Sequence, residues 1–238
     1  MGVARVWLDI LTPKQVMFLG ELSHRIEAKG HNVLRTTRHY REVNQLLELK
    51  EVEALVVGKH GGPTLEGKLE ASARRVLELG KLIAKYRPDV AVSFSSPEAA
   101  RVAFGLGFPH FCISDSPHAE AVMRLSIPIS KYLFTPKIIP LKVWFRLGAT
   151  PNMILQYNAL DPVVWVRAFR PDATVLDQLK LTKDKPIIVL RVEETFAAYL
   201  LGKAVDQEPV ITPIIRTLLE SVGNTIQVVV IPRYGQQA

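Results

Sequence analysis

From Arg5 to Thr135 the chain alternates two hydrophobic rhythms. Short runs in which nearly every residue is apolar or β-branched read as strands covered on both faces, and longer segments with apolar positions three and four residues apart read as helices with one buried stripe. RVWLDI (5–10) predicts a strand, and Thr12 and Pro13 supply an N-cap and first-turn proline for a helix reaching about Lys29 and closed by Gly30. NVLRTT (32–37) predicts the second strand, and HYREVNQLLELK (39–50) a helix through Val43, Leu46 and Leu47. EALVV (53–57), DVAVSF (89–94), PHFCIS (109–114) and the short KYLFT (131–135) continue the strands. Residues 65–86, PEAARVAFGLG (97–107) and HAEAVMRLSI (118–127) supply the helices between and after them. Such β-α alternation predicts a parallel sheet with helices on both faces.

The rhythm breaks between Asn158 and Pro186, where Asp161-Pro162 and Arg170-Pro171-Asp172 interrupt the pattern without a long strand, which reads as a linker. PIIVLRV (186–192), a helix over 209–221 and TIQVVVIP (225–232) then restart a β-α-β pattern, in too few residues for a complete doubly wound domain. The organisation expected is α/β: a Rossmann-like domain over 1–157, a hinge or linker over 158–185, and a partial second Rossmann-like unit over 186–238.

With 48% hydrophobic and 22% charged residues in 238, the composition is that of a globular protein with a real core. The apolar runs are too short to span a bilayer and residues 1–10 lack the regions of a signal peptide, so a cytoplasmic location is expected. The single Cys112 excludes an internal disulfide and a CxxC metal site, and reads as a buried small hydrophobe. Thirty basic against 23 acidic residues leave +7, unevenly placed: nine Lys or Arg and three Asp fall between Arg124 and Lys183. LKVWFRLG (141–148) and VVWVRAF (163–169) set tryptophans beside cations in that stretch. Such a surface suits phosphorylated ligands or peripheral contact with an anionic membrane; the simpler reading packs the tryptophans between elements and leaves the cations solvated.

Three strand ends carry candidate chemistry. Gly58-Lys59-His60-Gly61-Gly62 lies between a strand and a helix, where backbone amides can receive an anion, but it matches neither GxxxxGK[ST] nor GxGxxG, and Pro63 removes a donor. A ligand-facing loop and a plain turn both stay open. Ser95, Ser96 and Glu98 follow the fourth strand, at the edge where open parallel sheets bind ligands; simple N-capping by Ser96 is the rival. Asp115, His118 and Glu120 follow the fifth and are candidates for acid/base work, or for no more than a helix cap. The six histidines show no metal-ligand spacing, so no metal or cofactor is expected. Arg35, Arg38, His39 and Arg41 make the end of strand two basic, which argues against a nicotinamide enzyme. No RNP, helix-turn-helix or finger motif accompanies them, and nucleic acid is not an expected partner.

The order of WLDILTP, the GKHGG loop, PDVAVSFSSPEAARVAFGLG, SDSPHAEAVMRL, YLFTP, YNAL, FRPD, LRVEETFAAY and IPRYGQQ resembles the family called domain of unknown function 354 over nearly the whole chain. That family is similar to the B-type glycosyltransferases and UDP-N-acetylglucosamine 2-epimerases. The resemblance implies two Rossmann-like domains with a nucleotide-sugar, expected to be a UDP-sugar, between them. His118-Ala119-Glu120-Ala121 is similar to the H-x-E-A stretch of the epimerases, which makes Glu120 the first-choice acid/base and His118 its neighbour. Where the epimerases carry an aspartate after strand four this chain has Ser95-Ser96, which weighs against epimerisation. Lys59, His60, Gly61 and Gly62 are then expected to face substrate, and Arg191, Glu193 and Arg233 the donor; Tyr199 and Gln237 also match family positions.

In the family a glycine-rich segment and a further helix follow the stretch that here ends at Ala238, so the expectation is a donor domain lacking its C-terminal half. The expected function is a glycosyltransferase-like protein, incomplete as it stands, that acts on a nucleotide-sugar and an unidentified acceptor. A non-catalytic remnant binding an acceptor or partner chain and an epimerase-like enzyme are the alternatives. Unpaired strand edges on a half-domain would invite self-association or a completing partner.

Overall fold

The structure, a computed structural model, describes residues 2–167, 169–192 and 211–232. It divides into two compact units, 1–169 and 170–238. In the first, the strands are β1 (Arg5–Ile10), β2 (Asn32–His39), β3 (Leu55–Lys59), β4 (Val90–Ser93), β5 (His110–Ile113), β6 (Tyr132–Pro136) and β7 (Ile154–Tyr157). The helices are α1 (Pro13–Glu27), α2 (Arg41–Leu49), α3 (Leu65–Tyr86), α4 (Pro97–Leu106), α5 (Glu120–Ser126), α6 (Leu141–Phe145) and α7 (Val163–Val166). The strands form one all-parallel sheet in the order β3-β2-β1-β4-β5-β6-β7. The direction of winding therefore reverses between β1 and β4, which opens a crevice at their carboxyl ends.

β1 is the centre of this arrangement and is buried on both faces. Val6, Leu8 and Ile10 join Val16 and Leu19 of α1 and Val43 and Leu47 of α2 in one core cluster. Trp7, on the opposite face by the two-residue strand period, packs with Leu79 and Ile83 of α3 and Ala99, Val102 and Ala103 of α4 in another. A third cluster, with Cys112, Met123, Leu133, Trp144 and Met153, fills the β5-β6 side. The helices start as their sequences dictate: Thr12 accepts from the Gln15 amide, Thr64 from Gly67 and Ser96 from Ala99, and Pro13 and Pro97 occupy first-turn positions where no amide is needed.

Three expectations change. β3 begins at Leu55, two residues beyond the start of the run expected at 53–57, and β7 follows Pro151 where no strand was expected. Residues 158–167, read from sequence as the start of a linker, are held on the first unit: α7 packs against α1, and the Tyr157 hydroxyl donates to Asp161.

The second unit contains α8 (Thr174–Gln178), β8 (Ile187–Arg191), α9 (Ile211–Val222) and β9 (Gln227–Ile231) among its described residues. β8 and β9 pair in parallel, as a β-α-β unit requires. The Gln227 side chain fixes the approach to this pair, its Oε1 accepting from the Thr182 backbone amide at 2.7 Å and its Nε2 donating to the Thr182 carbonyl at 2.8 Å.

Candidate functional site

The carboxyl ends of β1, β4 and β5, with the start of α1, bring polar groups together at the reversal of strand order. Two connected clusters result, one sealed and one open.

The sealed cluster centres on Asp9. Strand alternation turns its side chain toward α3, where Arg75 meets it with two hydrogen bonds, Nη2 to Oδ1 at 2.6 Å and Nη1 to Oδ2 at 2.9 Å. Thr36 and Ser96 each donate to the same carboxylate at 2.7 Å, and Arg75 Nε donates to the Val57 carbonyl. Burial alone would raise the Asp9 pKa, but Arg75, Ser96 and Thr36 outweigh it and hold the group below its ordinary value. Glu98 borders the same network, its Oε2 lying 3.3 Å from Ser96 Oγ, whose proton goes to Asp9, and 3.9 Å from Arg75. Arg38, at the end of β2, is lowered from its usual value by burial and by the Arg75 charge, and its Nε is enclosed without a hydrogen-bond partner.

Ser95 and Ser96, expected to touch substrate, are both buried with engaged hydroxyls. Ser95 adopts a left-handed φ of 58°, which costs about 1 kcal/mol for a non-glycine residue. That turn carries its hydroxyl back to the Ile113 carbonyl at 3.0 Å. Ser96 caps α4 and holds Asp9. Behind them runs a directed chain: the Ser96 amide donates to Ser93 Oγ, Ser93 donates to His110 Nε2, His110 Nδ1 donates to Ser130 Oγ, and Ser130 donates to the Ser126 carbonyl. Since the Ser130 proton is committed to Ser126, the His110 proton must sit on Nδ1. Burial pushes the His110 pKa down to about 4, so the ring is neutral.

The open cluster joins Lys14, in the first turn of α1, to Asp115 beyond β5 and to Asp161. The Lys14 ammonium contacts Asp115, lies 2.6 Å from Asp161 Oδ2 and stands 4.4 Å from the centre of the Phe94 ring. Asp161 is fully buried, whereas Lys14 and Asp115 keep about a third of their side chains in solvent. Burial would raise the Asp115 pKa, but Lys14 and Ser116 reverse this and lower it, so Asp115 is a charged partner rather than a ready base. Burial and the Asp161 charge raise the Tyr157 hydroxyl well above its ordinary value, and it stays a proton donor. A cavity of about 290 Å³ adjoins this cluster, lined by Tyr157 and Asp161 together with the apolar Phe18, Leu22, Leu160 and Val164.

The remaining sequence candidates are distributed around this edge. His118 and Glu120 are exposed at the start of α5, and Glu120 pairs with Arg124 at 2.7 Å. Lys59 is exposed at the end of β3. His60 stacks on Tyr40 with ring centres 4.9 Å apart, and its Nδ1 accepts the Gly62 amide at 3.1 Å. Burial, then the charges of Arg38 and Lys68, lower its pKa, so the ring is neutral and presents Nε2–H as a donor. The GKHGG segment is no phosphate cradle: the His60 amide is bound to the His39 carbonyl, the Gly62 amide to His60, and Pro63 has none. Gly61 is required sterically, since a Cβ there would stand 2.4 Å from the Gly67 carbonyl oxygen in α3, and Gly62 by its left-handed φ of 75°. In the second unit Arg191 is exposed at the end of β8, while Glu193 and Arg233, like Tyr199 and Gln237, lie outside the described residues.

Sequence reasoning missed Asp9, Lys14, Arg75, Tyr157 and Asp161. Arg75 alone had a legible signal: it shares the helical stripe of Leu79 and Ile83, where a solvated arginine does not belong. Among the described residues no group of His, Cys, Asp or Glu is arranged to hold a metal ion, and no helix is long and apolar enough to cross a membrane.

Residues 4–238 match the family model described as Protein of unknown function (DUF354). The uncharacterized protein MJ0665 of Methanocaldococcus jannaschii is 30% identical over 191 residues, covering 78% of this chain and 55% of that protein. The chain thus spans about half the length of that curated relative. Among solved structures, UDP-GlcNAc 2-epimerase of Neisseria meningitidis bound to UDP-GlcNAc aligns with a TM-score of 0.73 at 15% identity, over 98% of this chain and 67% of that one. The M. jannaschii UDP-GlcNAc 2-epimerase in complex with UDP-GlcNAc and UDP gives 0.71 at 17% identity, with the same coverage. Spinosyn forosaminyltransferase SpnP gives 0.56 at 14%, again over 98% and 67%. The likeness is one of fold, that of the B-type glycosyltransferases and 2-epimerases.

Proposed function

The chain belongs to the DUF354 family, and on that premise we propose that it is a glycosyltransferase-like protein that acts on a nucleotide-sugar, with the acceptor received by the first unit. The observation that carries this reading is the open cluster of Lys14, Asp115 and Asp161 at the carboxyl edge of a parallel sheet, beside a 290 Å³ cavity. Glu120 or His118, exposed next to that cluster in sequence, acts as general base on an acceptor hydroxyl. His60 donates through Nε2 and Lys59 supplies charge from the end of β3, at the far edge of the same sheet. Arg191, Glu193 and Arg233 are the residues assigned to the donor, a UDP-sugar, with the two arginines on its diphosphate, where cations stabilise the departing charge.

Transfer is favoured over epimerisation by the environment of Ser95 and Ser96. Inverting a sugar carbon requires acid and base groups on opposite sides of it, and after β4, where the epimerases carry a carboxylate, this chain has two hydroxyls engaged inside the protein. The test is incubation of the chain with UDP-N-acetylglucosamine in D2O, with and without a panel of hydroxyl-bearing acceptors, followed by NMR. Release of UDP in the presence of an acceptor, with no deuterium at C2 of the sugar, is expected. Deuterium at C2 of intact UDP-sugar would mean epimerisation and would sink the transferase reading.

A further inference from the structure

Between Glu120 and Asp161 the sequence contains no acidic residue, yet Arg124, Lys131, Lys137, Lys142 and Arg146 all fall there. Lys137, Lys142 and Arg146 lie just beyond β6, on the loop into α6 and on α6 and its end, and all three are exposed. No carboxylate among the described residues pairs with any of them.

The same segment exposes hydrocarbon. Trp144 is buried with Leu133, Leu147 and Met153, which fixes the rotation of α6 and leaves Leu141 and Phe145 exposed. The tryptophan that the sequence set among these cations thus serves as an anchor, and its neighbours are what reach solvent. Ile138, on the loop before α6, is 77% exposed. That exposure is held in place: the Lys137 amide donates to the Tyr157 carbonyl at 2.8 Å, and the Gln156 side chain donates to the Ile139 carbonyl at 3.1 Å.

An apolar cluster among unpaired cations needs hydrocarbon and negative charge together, and an anionic bilayer surface offers both. We propose that this face, built on Ile138, Leu141 and Phe145 with Lys137, Lys142 and Arg146, docks the protein on an anionic lipid surface. The apolar side chains enter the headgroup region while the cations lie at the level of the phosphates. A nucleic acid would neutralise the cations but leave Ile138 in water. The proposal rests on this surface and not on the sugar chemistry, so either can fail alone.

Co-sedimentation of the chain with vesicles of phosphatidylcholine, and of phosphatidylcholine mixed equally with phosphatidylglycerol, tests it. Binding to the mixed vesicles is expected, weakening as salt rises. Ile138→Asp combined with Phe145→Asp should reduce partitioning roughly tenfold or more, and Lys142→Glu should weaken it too. All these positions are exposed, so far-UV circular dichroism and the melting temperature should stay as in the parent, which separates lost docking from lost folding. Equal binding to both vesicle types, absence of binding to either, or full binding by the Ile138/Phe145 variant would overturn the proposal. So would displacement from vesicles by an oligonucleotide that binds the parent and the Ile138/Phe145 variant equally, since the surface would then be a polyanion site.

Discussion

Arg75 and Asp9 form a two-pronged ion pair with Nη2–Oδ1 at 2.6 Å and Nη1–Oδ2 at 2.9 Å, and neither side chain reaches solvent. The pair ties the end of the central strand β1 to α3, and through Ser96 to the start of α4. The crevice at the reversal of strand order thus has an ionic floor. Burial would lower the Arg75 pKa, but Asp9, with help from Glu98 and Glu78, raises it, so both partners are charged at neutral pH.

Removing one partner leaves the other charged in the interior. Asp9→Ala should therefore cost about 3–5 kcal/mol in urea unfolding, far more than deleting an exposed ion pair. A loss below about 1 kcal/mol would show that water reaches Arg75 and that the floor is open.

Asp9 shows how much of this was legible beforehand. The strands were readable because both faces of the sheet are covered, which makes their sequences apolar throughout, but the same continuity hid Asp9 inside RVWLDI. β7 went unseen because Ile-Leu-Gln-Tyr lies at the sheet's edge, where one side lacks a partner strand and no apolar run is required. Lys14 and Asp115 stand 101 positions apart in the chain, and no local pattern encodes such a meeting. The motifs that sequence did single out, GKHGG and SFSS, prove to be places where chain packs closely against chain, which constrains residue choice as tightly as a ligand would.

The loop makes this measurable. A Cβ at Gly61 would come within 2.4 Å of the Gly67 carbonyl oxygen and 2.5 Å of Lys68 Cα, both backbone atoms that cannot move aside cheaply. Gly61→Ala should destabilise by about 1–3 kcal/mol. Gly80→Ala, in the middle of α3 with nothing within 4 Å of the new Cβ, should stabilise by up to about 1 kcal/mol. Thermal melts of the two variants should move in opposite directions.

His110 gives the fold an acid limit. Its folded pKa, about 4, lies below the ordinary 6.5, so the stability it contributes is fully present above pH 6.5 and declines as pH falls toward 4, where the unfolded chain holds a proton that the native ring refuses. The shift corresponds to about 3 kcal/mol over that window. Protonation at Nε2 would also break the hydrogen bond from Ser93. Urea midpoints between pH 7.5 and 4.5 should fall more steeply for the parent than for His110→Gln, which has no group to titrate.

Glu120 and Lys14 should separate in their effects. Glu120 is exposed and its pair with Arg124 is an ordinary surface contact, so Glu120→Gln should leave the melting temperature within about 2 °C. Turnover should fall about a hundredfold. Lys14→Met should lower stability by about 1–3 kcal/mol at pH 7, a figure moderated by the solvent that Lys14 retains, because Asp115 and the buried Asp161 would lose their shared cation. That loss should shrink toward about pH 3, below the ordinary Asp value of 3.8, as Asp115, whose pKa Lys14 holds down, takes up its proton. Unfolding curves at the two pH values, with a UDP-release assay, read both variants.

The most direct measurement is calorimetric titration of UDP-N-acetylglucosamine and of UDP into the chain. Saturable binding with a dissociation constant between roughly 1 μM and 1 mM, the usual range for enzyme substrates, is predicted for the sugar nucleotide. It should be weaker in Arg191→Ala, which removes a cation assigned to the donor. No heat of binding for either compound at millimolar concentration, from protein that melts cooperatively, would contradict the assignment to nucleotide-sugars.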